Sequence, residues 1–131
     1  MPNKDQLLGD YYYKQAKREG YRSRSALKLK EIADKYRIFR KGQVIVDLGA
    51  APGGWLQVER ELVGADGLVI GIDLSTIAPF PYANIKLIRG DVYSAEVMEQ
   101  VYALAEGKAD VVVSDLAPKF SGIHDLDHLR Q

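Results

Sequence analysis

Four aspartates close or directly follow the apolar runs of this sequence, and they are the residues best placed to do chemistry. They are Asp47, Asp73, Asp91 and Asp115. Ligands of open parallel sheets bind where the carboxyl ends of the strands meet. A single aspartate there is usually a helix cap or an Asx-turn, but four like charges on one edge repel one another unless a cationic or donor-rich ligand offsets them. We therefore predict a binding site at this edge.

The segment DLGAAPGGW, residues 47–55, brings a backbone with few side chains to the same place. A dinucleotide site requires Gly-x-Gly-x-x-Gly, and Ala51 stands where the second glycine belongs. A Walker loop is excluded because no Gly-Lys-Ser or Gly-Lys-Thr follows. A cofactor with a nucleoside but no phosphates remains. S-adenosylmethionine fits, since its ammonium and sulfonium groups are positive and suit an acidic edge.

Two of the aspartates have specific predicted contacts with such an adenosine. Asp73 lies 24 residues after Gly49, where a carboxylate accepts hydrogen bonds from both ribose hydroxyls. Asp91 can accept a hydrogen bond from the exocyclic amine of adenine. Leu74 and Val92 are the candidate apolar neighbours of the ring.

The elements that must position these residues alternate between strand and helix. Apolar runs predict strands at 43–48, 67–73, 84–91 and 109–116, and periodicity predicts helices at 24–36, 55–64 and 94–107. The link 74–83 lacks a clear helix, and its two prolines predict a turn or a very short helix. This alternation predicts an α/β fold with a doubly wound parallel sheet.

The helix predicted at 24–36 has one apolar face and one charged face. Its apolar positions, spaced by three and four residues, are Leu29, Ile32, Ala33 and Tyr36. Ser23 or Ser25 can cap its start.

The formal net charge is zero, but the charges are unevenly distributed along the chain. Residues 14–41 contain eleven Lys or Arg and three Asp or Glu, whereas residues 42–131 contain six and thirteen. The basic stretch YYYKQAKREGYRSR interleaves tyrosines with cations, as binding of RNA phosphates with base stacking requires. A solvated lysine-rich helix without a ligand is the other interpretation, and this segment alone does not decide. We predict that residues 1–41 face RNA and that residues 42–131 form the cofactor-binding part of the same single domain.

Composition excludes several classes of protein. With 47% hydrophobic and 27% charged residues, the 131-residue chain is an ordinary globular sequence with one core. It has no cysteine for a disulfide or thiolate site, and its two histidines lack further obvious ligands, so no metal is expected. No apolar stretch approaches a membrane span or a signal peptide. We expect a soluble cytoplasmic protein.

Five segments also carry a resemblance. YRSRSALKLKEI, VDLGAAPGGW, GIDL, RGDV and SDLAPKFSG follow one another as in the FtsJ (or RrmJ) family of RNA ribose 2'-O-methyltransferases, which the chain closely resembles from about residue 20 to 122. The resemblance implies a Rossmann-like S-adenosylmethionine-dependent methyltransferase fold. It places the cofactor contacts on Gly53, Trp55, Asp73, Asp91 and Asp115. Without it, Trp55 would be interpreted as a core anchor.

The same resemblance implies the chemistry. In this family a Lys, an Asp, a second Lys and a Glu surround a ribose 2'-hydroxyl that receives the cofactor methyl group; the first Lys matches Lys28 and the Asp matches Asp115. Arg22 and Arg24, with Lys28, are the predicted RNA contacts. A uridine of large-subunit ribosomal RNA is the implied substrate, although relatives that modify transfer RNA or messenger RNA caps share these segments.

The sequence departs from the family after the fourth strand. It stops at Gln131, and no residue matches the second Lys or the Glu; Lys119 is at best a weak replacement. We expect a sheet truncated after four of the family's seven strands, in a chain that belongs to a longer protein. With strand order 3-2-1-4, the fourth strand would be an edge exposing Val111, Val112 and Val113, along which two copies could dimerise.

Three functions stay open. The chain can be the cofactor-binding and RNA-recruiting part of a 2'-O-methyltransferase. It can be a non-catalytic module that binds RNA and cofactor. It can be an unrelated nucleotide-binding domain of an oxidoreductase, which the missing central glycine disfavours.

Overall fold

A computed structural model describes residues 3–114, except for the side chain of Asp5. Asp115 and the residues after it lie outside this range. The described elements are α1 (Lys4–Glu19), α2 (Ser25–Tyr36), β1 (Val44–Leu48), α3 (Gly54–Val63), β2 (Leu68–Asp73), β3 (Ile85–Arg89), α4 (Ala95–Leu104) and β4 (Val111–Ser114). The four strands form one parallel sheet in the order β3-β2-β1-β4. The predicted α/β fold, its strand order and the helix-free link 74–83 are confirmed.

Successive residues of each strand point to opposite faces of the sheet, so both faces carry apolar side chains and both are covered by helices. On one side α2 and α3 pack over a core cluster that includes Ile45, Val69 and Val113. On the other side α4 packs over a cluster that includes Val46 and Ile70. Each strand therefore contributes to two separate apolar layers, and its carboxyl end is held rigidly between them.

Helix α1 occupies the basic N-terminal stretch, for which the apolar pattern gave no helix. It begins with a capping box in which the side chains of Asn3 and Gln6 each accept a hydrogen bond from the other's backbone N–H. It ends at Gly20, whose φ of 82° is the left-handed conformation that glycine favours. These end signals, rather than an apolar face, mark the helix in the sequence.

The predicted apolar face of α2 is only half right. Leu29 and Ala33 are buried, whereas Ile32 is 46% exposed and Tyr36 is 65% exposed. The buried stripe runs instead through Ala26 and Leu29 to Ala33, the side that faces α3 and the sheet. The buried face of α2 therefore shares only Leu29 and Ala33 with the predicted apolar face.

The predicted cap of α2 was wrong. The N-cap is Arg24, which makes no side-chain cap. The hydroxyls of Ser23 and Ser25 lie 3.0 Å apart and share a hydrogen bond with each other. That hydrogen bond lies at the start of α2, next to the glycine-rich residues 49–54.

Strand β4 does not expose its valines as expected. Val112 and Val113 are 4% and 3% exposed because they point to opposite faces, each covered by a helical layer. An edge strand exposes its backbone rather than its face-directed side chains, so the expected exposure of these two side chains was wrong. Dimerisation along this edge stays a prediction.

Among residues 3–114, no helix is long and apolar enough to cross a membrane.

Candidate functional site

The glycine-rich loop, residues 49–54, connects the end of β1 to the start of α3. The backbone N–H groups of Gly49 and Ala50 donate to the carbonyl of Ile72 at 2.8 and 3.0 Å, which ties the loop to β2. Gly49 and Gly53 have φ values of 79° and 112°, a region open to glycine and unfavourable for other residues. The loop therefore owes its course to its glycines and lies against the neighbouring strand end.

Asp73, at the end of β2, joins that loop to the next one. Its Oδ2 accepts from the Ala51 N–H at 2.9 Å, and its Oδ1 accepts from the Ser75 N–H at 2.8 Å. Each carboxylate oxygen keeps capacity for a further hydrogen bond. The carboxylate thus orders two loops and can still accept from a ligand.

Asp91 lies beside Asp73, as predicted. The backbone of Gly90 donates to the Asp73 carbonyl at 2.9 Å, so the ends of β2 and β3 are adjacent. The Asp91 side chain accepts from the Tyr93 N–H at 2.9 Å, the geometry of an Asx-turn, and remains exposed. The carboxylates of Asp73 and Asp91 therefore lie at the same edge of the sheet.

The two predicted apolar neighbours of this pair differ in exposure. Leu74 is 69% exposed, as a ring-contacting residue needs to be. Val92 is 8% exposed and packs in the cluster under α4, so its contact with the ring stays a prediction. Tyr93, which the sequence interpretation passed over, is 84% exposed next to Asp91.

Asp47 does not belong to that edge. It is fully buried within β1, one position before the strand ends. Because it lies two residues after Ile45, it points to the same face, toward α3. Grouping Asp47 with the three other aspartates at the strand tips was therefore wrong.

Glu59 is the partner that Asp47 meets beneath the loop, and the sequence interpretation missed it. Glu59 is also fully buried, on the inner side of α3. Burial, the negative charge of Asp47 and a hydrogen bond with Asp47 all raise the pKa of Glu59 well above its usual value. A hydrogen bond between two carboxyl groups requires a proton on one of them, and the raised pKa of Glu59 favours that residue. Glu59 lies three residues after Leu56 and four residues before Val63, and this helical spacing could have revealed that it shares their buried face.

A small pocket opens between the loop and the start of α2. It is lined by loop residues, by the end of β1 and by both serines: Ser23, Ser25, Asp47, Gly49, Ala50, Ala51, Pro52, Gly54 and Trp55. Trp55 packs its ring partly against the core, as the core-anchor interpretation expected. Its indole Nε1 is buried and finds no acceptor among the described residues. A ligand acceptor can therefore satisfy it.

No group of three or more His, Cys, Asp or Glu within the described residues could hold a metal ion.

The space at the last two loop glycines is taken up by the protein itself. A Cβ added at Gly53 would lie 2.8 Å from the Phe80 ring and 2.9 Å from the Arg22 guanidinium. A Cβ added at Gly54 would collide with the Ser23 hydroxyl. The side-chain-poor loop is thus required by close packing as well as by any ligand.

The predicted RNA contacts lie in different surroundings. The Arg22 guanidinium is bonded to backbone carbonyls of the chain, and its predicted phosphate contact stays a prediction. Arg24 is exposed and lies along α1, where a Cβ on Gly9 would be 3.1 Å from its guanidinium. Lys28 is exposed, with its Nζ 5.7 Å from the centre of the Tyr12 ring, one helical turn after the pocket residue Ser25. Asp115 lies outside the described residues.

Comparison with known proteins decides the family. A model of FtsJ-like methyltransferases matches residues 21–131. The chain belongs to the FtsJ-like methyltransferase family. The resemblance seen in the sequence is therefore confirmed, and the four-stranded sheet is part of a methyltransferase fold.

Similar proteins of this family carry one name. A protein of Methanothrix thermoacetophila called ribosomal RNA large subunit methyltransferase E is 57% identical over 92% of this chain and 46% of its own length. The protein of that name in Halobacterium salinarum is 49% identical over 92% of the chain and 47% of its own length. The chain spans about half the length of these curated relatives. A crystal structure of a ribosomal RNA methyltransferase from Plasmodium falciparum matches with a TM-score of 0.60 and 35% identity, over 74% of this chain and 57% of that one.

Proposed function

We propose that this FtsJ-like chain binds S-adenosylmethionine at the edge formed by β2, β3 and the glycine-rich loop. The observation that carries the proposal is the Asp73 carboxylate, which holds the loop through Ala51 and has acceptor capacity left beside the exposed Asp91. The unpaired indole N–H of Trp55 and the exposed Leu74 add a donor and an apolar surface. These groups fit a nucleoside with a positively charged tail and do not offer a cradle for phosphates.

The proposed reaction is 2'-O-methylation of a ribose in RNA, and the bound cofactor supplies an activated methyl group. Lys28 would hold and orient the 2'-hydroxyl, and Asp115 would position the ammonium of Lys28. The hydroxyl oxygen bonds to the methyl carbon while the carbon–sulfur bond breaks, and the hydroxyl proton must pass to a base. The family uses a second Lys for that step, and no residue of this chain matches it.

The proposed RNA is large-subunit ribosomal RNA, which the names of the relatives support. A uridine as the target and the cytoplasm as the location are what the family resemblance implies. The surface that would receive this RNA is the basic surface of α1 and α2, within residues 1–41. Two tyrosines on α1 are more than half exposed, and the Lys17 Nζ lies 5.5 Å above the Tyr13 ring. Such paired cations and rings contact phosphates and bases together.

Binding of the cofactor product is the direct test of this proposal. The folded chain should bind S-adenosylhomocysteine in a calorimetric titration and should not bind nicotinamide adenine dinucleotide. Binding of the dinucleotide alone would instead support the oxidoreductase interpretation. A methyl-transfer assay with labelled cofactor on ribosomal RNA, transfer RNA and capped RNA then identifies the substrate. Methylation of none of these RNAs would instead support a non-catalytic module that binds RNA and cofactor.

RNA binding makes a separate prediction at Arg24. Replacing Arg24 with Ala removes one exposed cation, so RNA affinity should fall and the slope of log affinity against log salt should decrease by about 1. The affinity for S-adenosylhomocysteine should stay unchanged. Lys108→Ala, which removes an exposed lysine outside the basic segment, is the matched control. Equal salt slopes for the parent and Arg24→Ala would contradict the assignment.

A further inference from the structure

We propose that Arg22 is a positioning residue that holds the glycine-rich loop in its cofactor-binding conformation, an inference that rests on the proposed function. Its Nη1 donates to the carbonyls of Pro52 at 3.1 Å and Ala78 at 2.7 Å, and its Nη2 donates to the carbonyl of Pro79 at 3.0 Å. One guanidinium thus joins the loop after β1 to the segment after β2. These are the two loops that Asp73 also connects.

The contact set requires an arginine. The guanidinium carbon lies 3.6 Å from the centre of the Phe80 ring, so the group stacks on the ring while its edge donates to three carbonyls. A lysine ammonium has no planar fork and cannot make both contacts in this way. Loss of solvent on burial lowers the pKa of Arg22, although the group stays charged at neutral pH.

The same guanidinium fills the space over Gly53. A Cβ at Gly53 would lie 2.9 Å from the Arg22 Nη1 and 2.8 Å from the Phe80 ring. Arg22 and Phe80 therefore cover the loop at Gly53. They add to the backbone bonds to Ile72 and the Asp73 carboxylate, which also hold the loop.

The backbone of Arg22 is anchored as firmly as its side chain. It belongs to the linker between α1 and α2, residues 20–24. Gln57 on α3 accepts from the Arg22 N–H at 2.8 Å and donates to the Gly20 carbonyl at 3.0 Å. The Tyr21 hydroxyl donates to Glu61 at 2.8 Å. The linker is thus fixed to the helix that begins at the glycine-rich loop.

This arrangement connects the two proposed binding surfaces. The linker leads from α1 into α2, the proposed RNA surface, and its Arg22 holds the loop of the proposed cofactor site.

The test compares Arg22→Ala and Arg22→Lys with the parent. If the loop opens in nine molecules of ten without the guanidinium, the dissociation constant for S-adenosylhomocysteine rises about tenfold. Arg22→Lys should show the same loss, because charge alone does not rebuild the contacts. Hydrogen exchange of the Ala51 amide should accelerate by about tenfold in both variants, while the amides of β1 stay protected. Lys108→Ala, which removes an exposed cation outside residues 1–41, should behave as the parent.

Several results would overturn this assignment. If both variants bind S-adenosylhomocysteine as the parent does, and the salt slope of RNA binding falls by about 1 in Arg22→Ala but not in Arg22→Lys, Arg22 is a phosphate contact instead. Should Arg22→Ala fail to fold, Phe80→Leu removes only the stacking surface and should still raise the dissociation constant by about threefold. A parent that binds no S-adenosylhomocysteine would refute the proposed function, whereas accelerated exchange at Ala51 would still support the role of Arg22.

Discussion

Asp73→Ala is expected to weaken S-adenosylhomocysteine binding by about a hundredfold, or about 2.7 kcal/mol. Two losses add up in this variant. The ribose hydroxyls lose an ionised acceptor, and hydrogen bonds to charged groups contribute about 1.5–3 kcal/mol each. The Ala51 and Ser75 amides also lose the oxygens at 2.9 and 2.8 Å that hold the two loops together. Calorimetry on the folded variant measures the loss directly.

Two further variants separate these effects. Asp73→Asn keeps one acceptor oxygen and the side-chain shape, so it should fall between the parent and Asp73→Ala. Asp66→Ala removes an exposed carboxylate from the turn before β2 and should leave the affinity unchanged. If Asp73→Ala bound the ligand as tightly as the parent, this edge of the sheet would not be the cofactor site.

Glu59→Gln is expected to stabilise the fold increasingly as the pH rises. In the parent, the pKa of Glu59 is raised well above 4.5 by burial and by Asp47. Above the ordinary pKa of a glutamate the unfolded chain therefore releases this proton, while the folded chain keeps it until the pH approaches the raised folded-state pKa. The folded state binds more protons in this range, so the stability of the parent falls as the pH rises toward the folded-state pKa.

The substitution removes that dependence because an amide does not titrate. The Gln side chain keeps the shape and offers Asp47 an N–H donor in place of the carboxyl proton. The advantage of Glu59→Gln over the parent should grow from pH 5 upward with a slope that approaches about 1.4 kcal/mol per pH unit, and it should level off near the folded-state pKa of Glu59. Urea unfolding at each pH measures it, with Glu99→Gln on the exposed side of α4 as the control. Parallel pH profiles for the parent and Glu59→Gln would show that Glu59 does not carry the proton.

The sheet was predictable because its signal is local. Each strand is a short apolar run, and the link 74–83 carries its own prolines. Helix α1 has no regular apolar face that periodicity could reveal, and its large apolar side chains Leu7, Leu8, Tyr11 and Tyr13 are exposed. Its end signals at Asn3 and Gly20 were present and would have given its bounds.

The site was predictable where a residue acts alone and unpredictable where distant segments meet. Asp73 and Asp91 follow from their places after two strands. Asp47 and Glu59 required the face of each side chain to be worked out, in a strand and in a helix twelve residues later. No local pattern in the sequence shows that Arg22 reaches carbonyls 30 and 57 residues away.

The close contacts between Gly53, Gly54 and the linker bear on how the chain can be engineered. Ser23 and Arg22 fill the space that any larger residue at these glycines would need. A chimaera that takes its cofactor loop from a distant methyltransferase would therefore misfit unless residues 20–24 were transplanted with it. The two segments form one exchangeable unit, although 24 residues of sequence separate them.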